Sequence, residues 1–148
     1  MMEKKLICVT TKSSEETFAF AKSFAKIVTP PMVINLVGDL GAGKTTFTQG
    51  LLKALGVTEN VTSPTFTILN EYNTAFPIYH FDMYRIEDAS ETENLGFEEY
   101  FDLGTLKGLT LVEWAENTPQ LLPNKYLQIT IKKLGDDVRE FVVSSIEK

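Results

Sequence analysis

One short stretch constrains this chain more than any other: Gly38-Asp39-Leu40-Gly41-Ala42-Gly43-Lys44-Thr45. Two glycines stand five positions apart, and the second is followed by Lys and Thr, the spacing of a phosphate-binding P-loop. Gly41 and Gly43 allow successive backbone N–H groups to turn inward as a concave anion nest that a Cβ would obstruct. Lys44 is then a point charge for β- and γ-phosphates, and the Thr45 hydroxyl is an oxygen ligand for Mg²⁺. Such a loop requires a strand before it and a helix after it. Met32–Val37 is a short, mostly apolar, β-branched run, as a strand buried on both faces should be. Thr45–Leu55 carries Phe47, Leu51 and Leu55 at helical spacing and stops at Gly56, so phosphates would sit on that helix's N-terminal dipole.

The remaining elements follow from pattern and punctuation. Leu6–Thr10 reads as an edge strand. Ser13 and Glu16 are spaced as a capping box for a helix to about Val28, with Phe18, Ala21, Ala25 and Val28 as its apolar stripe. Phe66–Tyr72 and Phe76–Asp82 read as two strands of a hairpin. Glu87–Leu103 is an acidic stretch with a helix start at Asp88-Ala89-Ser90-Glu91, interrupted by Gly96. Leu109–Glu113 is an apolar strand, followed by a short helix through about Leu121. Tyr126–Lys132 and Arg139–Ser144 flank Gly135-Asp136-Asp137 as an antiparallel hairpin. This order predicts one α/β domain over residues 1–148, three-layered and P-loop NTPase-like, with central parallel strands and antiparallel edge strands.

Several positions outside the loop carry candidate chemistry. Glu113 ends an apolar strand, the place where an acid holds Mg²⁺ directly or through water. Alternation puts His80, Asp82 and Tyr84 on one strand face and Phe81 and Met83 on the other, so Asp82 could point toward the phosphates. His80 fits a hydrogen-bonded structural role better than a ligand's. Ser63 and Thr65 offer hydroxyls to a loop that senses the γ-phosphate, although a Ser-Pro pair equally shapes an ordinary surface turn.

Charge and residue usage bound the function. A formal charge of −6 argues against a direct grip on nucleic acid, which Lys and Arg carry. Arg85 and Arg139 are the two arginines, few for an enzyme that must stabilise a developing γ-phosphate charge. Slow intrinsic hydrolysis, or activation by another protein, is therefore expected. The lone Cys8 reads as a small packed hydrophobe rather than a nucleophile. No apolar run approaches a membrane span or a signal segment, which points to the cytoplasm and away from the membrane.

Four segments taken together resemble the TsaE (YjeE) family. They are Gly38 to Phe47, Ser63-Pro64-Thr65-Phe66, His80-Phe81-Asp82-Met83-Tyr84-Arg85 and Val112-Glu113-Trp114, in order and at fitting spacing across nearly the whole chain. Met83 stands where that family usually has Leu, a volume-conserving change. The resemblance implies a small Mg²⁺-dependent ATPase that is weak alone and is required for threonylcarbamoylation of adenosine 37 in ANN-decoding tRNAs. Its partners would be TsaD- and TsaB-like proteins, with tRNA met only through that complex and ATP hydrolysis resetting it between turnovers.

The same resemblance assigns residues. Gly38, Asp39, Leu40, Gly41, Ala42, Gly43, Lys44, Thr45 and Thr46 would bind nucleotide, and Thr45 with Glu113 would hold Mg²⁺. Lys44, Asp82 and Glu113 would carry catalysis, Asp82 by orienting water or as an outer ligand. Ser63 and Thr65 would belong to a switch-like loop, and Trp114 would line the site. The base would lie near Thr11–Ser14 and Leu134–Asp136, with Ser14 and Gly135 as contacts.

Three other readings compete. A small-molecule P-loop kinase needs basic residues and an arginine-bearing lid, which this chain lacks. A nucleotide-dependent regulatory switch is compatible with ATP, while no guanine-reading segment is present. A binding module with a vestigial P-loop is disfavoured by the presence of Lys44, Thr45, Asp82 and Glu113 together.

Overall fold

The computed structural model describes residues 1–39 and 42–148. Seven strands form one sheet in the order β1-β7-β6-β2-β5-β4-β3. These are β1 (Met2–Thr11), β2 (Met32–Val37), β3 (Leu69–Asn73), β4 (Pro77–Asp82), β5 (Leu109–Glu113), β6 (Lys125–Lys133) and β7 (Arg139–Glu147). The centre, β6-β2-β5-β4, is parallel throughout. β1 and β7 on one side and β3 on the other pair antiparallel, as expected for the edges.

Burial explains the order. β5 is buried at all five positions and β2 at its four central ones, so both read as continuous apolar runs. Their alternate residues feed two cores. Ile34, Leu36, Leu109 and Leu111 face α1 (Ser14–Ala25) and α2 (Lys44–Ala54). Val33 and Val112 face the segment that holds α3 (Glu91–Leu95) and three short 3-10 turns. Helices, sheet and this second covering make the three layers. Phe20, Phe24, Phe47 and Phe141 pack with ring centroids 5.1–6.3 Å apart and lock both helices to β7. Among the described residues, no helix is long and apolar enough to cross a membrane.

Local expectations fail at several points. α1 ends at Ala25, not Val28, because its last turn tightens: the N–H groups of Ile27 and Val28 reach back three residues to Phe24 and Ala25. Its buried face is Thr17, Ala21 and Phe24, while Phe18 is 40% exposed. The Phe66–Tyr72 strand begins only at Leu69. The Pro64 carbonyl accepts from the N–H groups of both Thr67 and Ile68, and Ile68 is left-handed at φ 70°, so the chain turns before it pairs. The helix expected through Leu121 is two 3-10 turns, Ala115–Asn117 and Pro119–Leu121, separated by Thr118. Cys8 is exposed on edge strand β1 rather than packed.

Candidate functional site

The site forms where the parallel strands end. β2 runs into Gly38, which must be glycine: a Cβ there would come within 2.8 Å of the Ile131 carbonyl on β6. Gly43 then adopts φ 105°, the left-handed region that glycine enters without steric penalty, and stands at the N-terminus of α2. No side chain caps that terminus, and its first turn carries no acid, so its N–H groups and dipole are presented to whatever binds there. Leu40 and Gly41, both assigned to nucleotide binding, lie outside the described residues.

Lys44 is 7% exposed, with its Nζ 3.8 Å from Glu113 Oε1 and 4.9 Å from the centre of the Trp114 ring. An exposed lysine would sample many rotamers; this one is held by an anion and an aromatic ring. Glu113 is the last residue of β5, and the β4–β5 register sets Asp82 directly beside it. Both carboxylates therefore reach the carboxyl edge of the sheet at the same level as the loop.

The two acids differ in their partners. Asp82 Oδ2 accepts from the Thr65 hydroxyl at 2.9 Å, and Oδ1 accepts from the Tyr84 backbone N–H at 2.9 Å. The Ser63 and Thr65 hydroxyls lie 2.7 Å apart, and the Asp82 N–H donates to the Ile68 carbonyl. The segment expected to be switch-like is thus tied to the end of β4. Glu113 Oε2 instead accepts from His80 Nε2 at 2.6 Å, inside the protein. Trp114 follows at φ 59°, and its ring lies 5.0 Å from that of Tyr84. The Asn117 amide donates to the Met83 and Tyr84 carbonyls, which closes the Trp114 turn onto the end of β4.

These groups line a cleft of about 360 Å³ that takes in Gly43, Lys44, Thr45, Thr46, Ser63 and Thr65, then Asp82, Tyr84, Glu113, Trp114 and Arg139. Gly38, Asp39 and Ala42 face a second cleft of about 600 Å³ that Trp114 also borders, together with Lys132, Lys133 and Leu134. Ser14 borders a small cavity of about 60 Å³ with Thr46, Asp137 and Arg139. Gly135 lines neither this cavity nor the main cleft; its carbonyl accepts from the Arg139 guanidinium at 3.0 Å.

Two residues gained importance beyond their sequence reading. Arg139 bonds the carbonyls of Gly135, Asp136 and Val138 through one nitrogen, and its side chain passes beside Gly43. The arginine count singled it out, but not its place. His80 is hydrogen-bonded, as expected, and its partner is the candidate metal acid.

The residues fit a polyphosphate with a divalent cation. Among those described, no group of three His, Cys, Asp or Glu side chains could hold a metal by itself. A Mg²⁺ here would take Thr45 Oγ and Glu113 and share its remaining sphere with phosphate and water, the usual habit of that ion.

A glycine-started helix with an uncapped N-terminus, at the carboxyl ends of parallel strands, places the chain among P-loop NTPase-like α/β proteins. The crystal structure of Bacillus subtilis YdiB superimposes with a TM-score of 0.82 at 44% identity, covering 99% of this chain and 88% of that one. The family model "Threonylcarbamoyl adenosine biosynthesis protein TsaE" matches residues 11–141, and the chain belongs to the TsaE family. The tRNA threonylcarbamoyladenosine biosynthesis protein TsaE of Bacillus subtilis is 50% identical over 137 residues, 92% of this chain and 84% of that protein. The protein of the same name from Rickettsia bellii is 43% identical over 130 residues, 86% and 87% respectively.

Proposed function

We propose that this chain binds ATP with Mg²⁺ in the cleft at Gly43–Thr46, hydrolyses it slowly, and acts in tRNA threonylcarbamoyladenosine biosynthesis. The observation that carries the reading is the convergence of an uncapped α2 N-terminus, a buried Lys44 and two in-register acids on one cleft. Mg²⁺, when bound, would neutralise charge that develops during phosphoryl transfer. The chain's own groups do the rest. Loop N–H groups and Lys44 grip the phosphates. Thr45 and Glu113 supply oxygens to the cation, and Asp82, steadied by Thr65 and Tyr84, orients the attacking water. Trp114 walls the cleft and excludes solvent beside Lys44.

Hydrolysis is weak alone, because Arg139 spends hydrogen bonds on three carbonyls of its own hairpin and Arg85 on the Phe66 carbonyl. Help comes from TsaD- and TsaB-like partners, which meet the tRNA; this acidic chain meets it only through them. Hydrolysis resets that assembly between rounds, in the cytoplasm. The test is phosphate release from ATP and Mg²⁺, with and without the two partners from the same organism. Slow release that rises with the pair is expected. Fast release indifferent to the pair, or ADP formation that needs a small-molecule acceptor and frees no phosphate, would favour a kinase instead.

A further inference from the structure

His80 is buried at 2% exposure on β4, one turn of alternation before Asp82, and its imidazole makes one polar contact that sets it apart from a packing residue. Nε2 lies 2.6 Å from Glu113 Oε2. A carboxylate only accepts, so Nε2 carries the hydrogen and donates it. Nδ1 is buried with no hydrogen-bond partner among the described residues. A histidine kept merely for the stability of β4 would be expected to satisfy both nitrogens, or to be replaced by an apolar residue like its neighbours Ile78 and Phe81. The single bond to Glu113 is what the site retains.

The consequence for Glu113 is directional. With Oε2 held from behind by His80, the carboxylate cannot rotate freely, and Oε1 is the oxygen on the Lys44 side, 3.8 Å from Nζ and beyond hydrogen-bond length. Asp82 is arranged differently: both of its oxygens accept from protein donors. Of the two acids, Glu113 therefore has an oxygen aimed at the cleft and ready to be given to a cation. A partner that orients a metal-binding carboxylate from the far side raises metal affinity without touching the ion.

We propose that His80 is the positioning residue for Glu113, fixing the carboxylate so that Oε1 is delivered to a divalent cation beside Lys44. This rests on the Mg²⁺-dependent nucleotide site proposed above. The test compares binding of a fluorescent ADP analogue in EDTA and across a Mg²⁺ titration, for the full chain and for His80→Gln and His80→Asn, with thermal melting as the check on folding. The Gln amide reaches Glu113 from the Nε2 position; the Asn amide falls short. His80→Asn is expected to raise the Mg²⁺ midpoint about ten- to hundred-fold while leaving metal-free affinity unchanged, and His80→Gln to restore most of it. In a Glu113→Gln background the His80 substitutions should shift the midpoint no further. A Mg²⁺ midpoint unchanged in folded His80→Asn, or moved equally by Gln and Asn, would overturn the positioning role alone. Wild-type binding indifferent to Mg²⁺ would overturn the site reading with it.

Discussion

Asp82 and Glu113 stand side by side in register on parallel strands, yet one is bonded to a loop and the other to the core. Asp82 is held by Thr65, whose own segment is exposed at Phe66, 85% accessible. Glu113 is held by the buried His80. One acid is therefore coupled to a surface segment and the other to the rigid sheet, a division that suits a water-orienting group and a cation ligand.

That division predicts how the acids behave when neutralised. Asp82→Asn and Glu113→Gln should both bind ADP and both lose turnover, by roughly a hundred-fold or more. Only Glu113→Gln should also weaken Mg²⁺-dependent binding. Phosphate release and fluorescent-nucleotide titration measure the two effects separately, and wild-type turnover in both variants would remove the roles given to them.

Lys44→Ala removes a buried cation whose contacts are an acid and an aromatic ring. Loss of a charge-assisted phosphate contact should weaken ADP binding about ten- to hundred-fold or abolish it. The measurement is calorimetry in EDTA, so that the metal does not contribute. Near-wild-type affinity would place the phosphates elsewhere.

Arg139→Met should loosen the 134–138 turn, because it removes the nitrogen that bonds three of the turn's carbonyls. A stability loss of about 1–3 kcal/mol is expected, with faster amide exchange at Leu134, whose N–H donates to Val138. Arg139→Lys should recover part of it, since an ammonium also offers its donors from one nitrogen but on a shorter side chain. Denaturant melts and hydrogen exchange report both.

Phe47→Ala should cost about 3–5 kcal/mol. Phe47 is fully buried on α2, and it touches Phe20, Phe24 and Phe141. Chemical denaturation measures the loss, and a change below 1 kcal/mol would contradict the packing described.

Much of this was legible because it is local. The strand before Gly38, the helix after Gly43 and the hairpin at Gly135 are written in contiguous residues. Of the α1 stripe, Ala21, Ala25 and Val28 pack on the core as expected, while Phe24 takes the place expected of Phe18, because helical spacing fits both and only the position of α2 decides between them. The start of β3 was misplaced because Phe66-Thr67-Ile68 looks like a strand, while the Pro64 carbonyl turns the backbone back on itself. The two short turns after Trp114 replaced a helix where Pro119 restarts the chain. In the site, Lys44, Asp82, Glu113, Ser63, Thr65 and Trp114 were all legible singly and do meet. The His80–Glu113 bond was not, since it joins residues 33 positions apart through a register that the sequence does not display.

The most direct test of the central claim is tRNA modification through more than one round. TsaD- and TsaB-like proteins, substrate tRNA in excess and a threonylcarbamoyl donor are incubated with ATP, with and without this chain, and modified adenosine is counted. With the chain, product should exceed the amount of the protein pair, and Lys44→Ala should bring it back to roughly one round. Equal product with and without the chain, at any ATP concentration, would contradict the account.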